Sequence, residues 1–210
     1  VHGKLRRYIN LTKECEYSVQ IGDMGFHYWP LVDENIDPTR HKFFGGNHDD
    51  YDILESEFCP SHCLGDFGAV DLGGIRFFFV RGGFSIDRAW RTRAMAYGEP
   101  KCWWAQEELP EYKLDEAREL YRKVKPDLVL THEPPRSICD LLGNPEVLRS
   151  FGHDPKTFTT RTSIALERMF AIHQPKQWIF GHFHKSWSQK LLETRFICLD
   201  ELEYLDIPIY

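Results

Sequence analysis

The chain has 210 residues, 42% of them hydrophobic and 14% aromatic, which suits one domain with a sizeable core. Its formal net charge of −6 is spread along the sequence, without the basic stripe that supplies sequence-independent affinity for nucleic acid, so a nucleic-acid partner is disfavoured. No run of about 18 apolar residues occurs, so no membrane-spanning helix and no membrane partner are expected. The six cysteines are scattered except for Cys59 and Cys63. A domain of this size needs no disulfides, and reduced thiols lead to the expectation of a cytoplasmic protein.

Starting from His2, the residues Leu5, Tyr8, Ile9 and Leu11 recur at helical spacing and predict a first helix. Tyr17 to Ile21 reads as a buried strand ending in Gly22-Asp23. His41 to Gly45 is a second short strand running into Gly46-Asn47-His48-Asp49, and Ile75 to Val80 is a third, closed by Gly82-Gly83. Gly82 to Pro110 reads as a long insertion that can cap an active site; it carries Ser85-Ile86-Asp87-Arg88, Arg91, Arg93 and Cys102-Trp103-Trp104. Tyr112 to Val124 predicts an amphipathic helix with Leu114, Ala117, Leu120, Tyr121 and Val124 on one face and Pro126 stopping it. The strand Asp127 to Leu130, a helix over Ser163 to Ile172 and a strand over Trp178 to Phe180 follow. Trp187 to Leu192, Phe196 to Leu199 and Leu202 to Ile207 read as short strands of a C-terminal antiparallel meander. No repeat or linker interrupts the chain, so one α/β domain over residues 1–210 is expected.

Five islands of polar residues stand at strand exits, where open α/β sheets place their active sites. They are His2-Gly3, Gly22-Asp23, Gly46-Asn47-His48-Asp49, Thr131-His132-Glu133-Pro134-Pro135 and Gly181-His182-Phe183-His184. Glycine precedes the functional residue in three of them, because a ligand leaving a strand needs a sharp turn and close backbone approach. Imidazole nitrogen with carboxylate and amide oxygen suits divalent ions such as Mn²⁺, Fe²⁺ or Zn²⁺. Two ions about 3.5–4 Å apart would polarise phosphate oxygens, lower the pKa of a shared water and orient in-line attack. Asp23 is the candidate to bridge them, since a carboxylate has two oxygens to share, and His182 and His184 can be directed to different ions. Arg88 and Arg91 are candidates for binding a substrate phosphate, whose geometry guanidinium matches. Cys59-Pro60-Ser61-His62-Cys63 is too loosely spaced, and lacks a second pair, to predict structural zinc. Trp103 and Trp104 read as core or lid packing rather than a stacking platform.

The islands, in this order and spacing, resemble the calcineurin-like metallophosphoesterases, whose pattern is Asp-x-His, Gly-Asp, Gly-Asn-His-Asp/Glu, a later His, and Gly-His-x-His. Gly-Asn-His-Asp followed far downstream by Gly-His-Phe-His is a specific signal, and the likeness runs from Val1 to His184. The resemblance implies two packed mixed β-sheets flanked by helices. It implies that His2, Asp23 and His184 serve one metal while Asp23, Asn47, His132 and His182 serve the other. His48 would not be a ligand but would lie near the leaving-group oxygen, as proton donor or stabiliser of developing charge, oriented by Asp49 or Asp50. The Asp two residues before the motif His would stand immediately ahead of Val1, so the first strand and that ligand are expected before residue 1. Gly22-Asp23-Met24-Gly25-Phe26-His27 lacks the second Asp and the Arg of the protein Ser/Thr phosphatase branch, and Gly45-Gly46-Asn47 replaces its Arg-Gly-Asn. Gly83 to Trp104 instead looks like a bacterial and phage branch. The implied activity is hydrolysis of a phosphate-ester substrate, with a phosphomonoesterase favoured. The alternatives are a nucleotide or nucleic-acid phosphodiesterase and a noncatalytic scaffold that keeps the fold.

Overall fold

The computed structural model describes residues 3–208. Its larger sheet has six strands in the order β3-β4-β5-β6-β8-β7, built from Phe67–Leu72 (β3), Ile75–Val80 (β4), Leu128–Thr131 (β5), Gln177–Phe180 (β6), Trp187–Leu191 (β7) and Thr194–Cys198 (β8). The centre from β4 through β5 and β6 to β8 is parallel, and antiparallel β3 and β7 form the edges. A second sheet pairs Ser18–Ile21 (β1) in parallel with His41–Phe44 (β2). The expectation of two mixed sheets therefore holds for the large one, whereas the small one is parallel throughout its described strands.

The alternation of side chains along each strand decides the layering. Phe77 and Phe79 of β4, Leu128 and Leu130 of β5 and Ile179 of β6 face Phe44 of β2, forming the core between the two sheets. Their neighbours Phe78, Val80, Val129, Trp178 and Phe180 point the other way into the largest core. There they meet the helices Glu111–Val124 (α5), Arg136–Leu142 (α6) and Arg161–Ile172 (α8). On the far side of the small sheet, Phe43 packs with Leu5, Tyr8 and Ile9 of Leu5–Thr12 (α1) and Leu31 of Trp29–Asp33 (α2). Strands this apolar on both faces need cover on both, and the helices supply it.

The amphipathic α5 buries Leu114, Ala117 and Tyr121, and ends where Lys125 turns left-handed (φ 46°) ahead of Pro126. Within the segment read as a long insertion, Arg88–Ala96 forms another helix (α4) that buries no residue, so its sequence carried no apolar stripe. Two short helices, Tyr51–Leu54 (α3) and Pro145–Ser150 (α7), complete the chain. The C-terminal meander needs correction. β7 and β8 form the expected hairpin, but Leu202 to Ile207 is not a strand. β7 already closes that edge of the large sheet, and the tail instead turns back so that Leu199 and Ile207 pack onto the core between the sheets. No helix among the described residues is long and apolar enough to cross a membrane.

Candidate metal centre

The carboxyl ends of β1, β2, β5 and β6 come together, and each delivers one polar island. Gly22 and Gly46 permit the approach. Gly22 sits at φ 98°, and a Cβ there would collide with the His132 ring; a Cβ on Gly46 would collide with Asp23.

Four side chains converge. The Asn47 Oδ1 atom lies 2.9 Å from His132 Nε2 and 2.9 Å from His182 Nδ1. His132 Nε2 is 3.2 Å from Asp23 Oδ1 and 3.3 Å from His182 Nδ1. Atoms sharing one ion at about 2.1 Å lie about 3.0–3.4 Å apart in octahedral to tetrahedral arrangements, so this spacing suits a shared ion as well as it suits hydrogen bonds. The protonation pattern agrees. His132 Nδ1 donates to the Ile21 carbonyl at 2.9 Å, which leaves Nε2 of the neutral ring as a lone pair. A neutral ring turns that lone pair toward the Asn47 and Asp23 oxygens, whereas a protonated ring donates to them.

Burial pushes the His132 imidazole down, but Asp23, the Ile21 carbonyl and Asp49 outweigh it and raise its pKa. His182 is driven to about 3 by burial and then by His132, against the pull of Asp23, so its ring is neutral. Among the described residues no three His, Cys, Asp or Glu side chains close into a ready-made cage. The set is completed by the Asn47 amide, and Asp23, Asn47 and His132 are all less than 5% exposed.

The other candidates fall around this centre in different ways. His184 is exposed, and with Asp23, His132 and His182 it lines a cleft of about 590 Å³ between β1 and the inner face of the large sheet. His2 and the Asp expected ahead of Val1 lie outside the described residues. His48 donates its backbone N–H to Asp23 Oδ1 at 2.9 Å, and its ring Nε2 stands 3.5 Å from Arg91 Nη2. Arg91 is held in place by Asp87, whose two carboxylate oxygens each lie 2.8 Å from Nε, and by the Cys102 carbonyl at 3.1 Å. Arg88, one turn earlier, instead lies over the rings of Phe84 (5.0 Å) and Trp103 (5.7 Å), and its side chain is exposed. Trp104 is a core residue packed against Phe26, in line with the packing reading.

Asp49 and Asp50, the two candidates to orient His48, spend their carboxylates on other partners. Asp50 caps α3, accepting from the N–H groups of Asp52 and Ile53. Asp49 is wholly buried and accepts from the backbone of Asp23 (2.9 Å), Gly25 (3.1 Å) and Gly46 (2.6 Å) and from the Tyr28 hydroxyl (3.0 Å). It ties the two ligand-bearing loops of the small sheet together. Burial, then Asp23, pushes its carboxyl up to about 6.

Sequence reasoning missed Tyr28, Ser85 and Glu107. Ser85 lies in the Gly-Phe-Ser-Ile-Asp-Arg stretch after β4, a visible strand-exit signal. Nothing around Glu107 marks it.

The fold is an α/β sandwich with four strand exits converging on one polar cluster. The calcineurin-like phosphoesterase profile matches residues 2–186, and the chain belongs to that family. The chain is similar in structure to the phosphopantetheinyl hydrolase of Mycobacterium tuberculosis, with 14% identity, a TM-score of 0.52, and coverage of 95% of this chain and 86% of that one. A hypothetical protein of Thermus thermophilus matches 92% of this chain and 69% of its own at 15% identity and a TM-score of 0.43. The anchor in the inner membrane complex of Plasmodium matches at 12% identity and a TM-score of 0.46, this chain spanning 65% of its length. No curated protein matches the sequence at significance.

Proposed function

We propose that the protein hydrolyses phosphate esters with two divalent ions, Mn²⁺, Fe²⁺ or Zn²⁺, held around Asp23. The observation that carries this reading is the meeting of His132 Nε2, Asn47 Oδ1 and Asp23 Oδ1 within 2.9–3.2 Å at buried strand exits, a mix of imidazole, amide and carboxylate donors that suits a divalent ion. Asn47, His132 and His182 would hold one ion with Asp23, and His184 and His2 the other. The chemistry such ions supply is polarisation of the phosphate oxygens and a lowered pKa for the attacking water.

The chain's own residues supply the rest. His48 is half-buried beside Asp23, and its ring would protonate or stabilise the leaving oxygen. Arg91, pinned by Asp87, presents Nη2 toward the same space and would bind the phosphate. A guanidinium gains more from the dianion of a terminal phosphate than from a diester's single charge, which favours a phosphomonoester of a small molecule or a phosphoprotein. The Phe84, Arg88 and Trp103 stack favours the second reading, a phosphodiesterase on nucleotides, because aromatic and guanidinium faces accept bases.

Turnover of p-nitrophenyl phosphate and of its bis ester with Mn²⁺ separates these readings. The monoester should be the better substrate; preference for the bis ester selects the diesterase. Failure on both, with metal bound, would sink the phosphoesterase claim in favour of a scaffold.

A further inference from the structure

We propose that Ser85 and Glu107 are positioning residues that fix which end of the Asn47 amide faces the metal centre, an inference resting on the metal-binding reading above. The oxygen and nitrogen of an Asn side chain are nearly equal in size, so shape alone does not choose between them. If the amide turned over, its NH₂ would point at the ions and the ligand would be lost.

A hydrogen-bonded relay makes the choice. Asn47 Nδ2 donates to Ser85 Oγ at 3.0 Å, and Ser85 Oγ donates to Glu107 Oε2 at 2.6 Å. Glu107 Oε1 also accepts the Ser85 backbone N–H at 3.1 Å. A hydroxyl has one proton, and an ionised carboxylate has none to give. Above its pKa of about 7 Glu107 is ionised, so there the Ser85 proton is committed to Glu107 and only oxygen lone pairs are left toward Asn47. A turned amide would set its oxygen against those lone pairs. Asn47, Ser85 and Glu107 are 4%, 2% and 2% exposed, so no bulk water is at hand to relieve the conflict.

Glu107 also has a plain structural task, since its backbone carbonyl accepts the Gly83 N–H at 3.0 Å and helps to hold the end of the insertion against the exit of β4. Ser85→Ala separates the two tasks. It removes the hydroxyl and leaves the backbone bonds to Glu107 in place.

The experiment is a Mn²⁺ titration without substrate at pH 8, counting free Mn²⁺ by its paramagnetic resonance signal. The intact protein should bind two ions. Ser85→Ala should weaken one of them about 10–100-fold and leave the other unchanged, the usual scale for loss of a group that orients a ligand. Ser85→Thr, which keeps the hydroxyl, should restore it. Glu107→Gln should fall between, because an amide can donate to Ser85 as well as accept and so permits both orientations. Unchanged affinity in Ser85→Ala overturns the proposal. So does equal weakening of both ions together with a lowered melting temperature that Ser85→Thr does not restore. An intact protein that binds no Mn²⁺ overturns this inference and the metal reading together. Mn²⁺ binding without turnover would sink only the phosphoesterase reading and leave the relay standing.

Discussion

Three side chains at the centre hold their backbone in the left-handed region: Asp23 at φ 59°, His182 at 67° and His184 at 49°. That conformation costs an L residue of order 1–3 kcal/mol, and it persists only where the surroundings over-determine it. For Asp23 the surroundings are visible, because Asp49 takes its N–H while its own carboxylate takes the N–H of His48. The strain thus sits on three of the candidate metal ligands. His48 is the side chain to test first. His48→Asn should lower kcat by about 10²–10⁴ while Mn²⁺ affinity stays at the wild-type value, measured by steady-state kinetics beside a metal titration. A protein acting only as a scaffold would bind its partner equally well with either residue.

Among the elements, the central strands were readable because their apolar runs are continuous, as expected of strands covered on both faces. β4 keeps its expected bounds of Ile75–Val80, and α5 starts one residue earlier than expected and stops before Pro126. β3 escaped notice because Phe67–Leu72 contains Gly68 and Asp71 and no residue of it is fully buried. α4 escaped because it has no buried face at all. The weight of the structure rests on α5 and α8 against β5 and β6, where Leu166 of α8 is wholly buried among Tyr121, Trp178 and Phe196 in one core. Leu166→Ala leaves a cavity there and should cost about 2–5 kcal/mol in chemical denaturation, with the metal-binding stoichiometry unchanged.

For the molecule as a whole, buried carboxyls set how stability follows pH. Burial raises Glu107 from 4.5 to about 7, against the opposing hydrogen bonds from Ser85. Between those values the folded state keeps a proton that the unfolded chain has released, so stability is fullest at low pH and falls as pH rises toward 7. The slope from this one group is at most about 1.4 kcal/mol per pH unit, and Glu107→Gln should remove it in denaturant unfolding followed from pH 5 to 7.5. Glu133, also buried, is raised for the same first reason and adds to the same trend.

Asp23, Asn47, His132, His182 and His184 stood out along the chain as candidates because metal chemistry demands particular donor atoms at strand exits, and glycines mark those exits locally. What Asp49, Ser85 and Glu107 do could not. Asp49 binds the backbone of Asp23 from 26 residues away, and Ser85 meets Glu107 across 22. The first bond exists because β1 pairs with β2, and the second because the insertion folds back onto the exit of β4, where the Glu107 carbonyl meets the Gly83 N–H. A donor's type is written in its own residue, whereas its partner is set by which strands lie side by side.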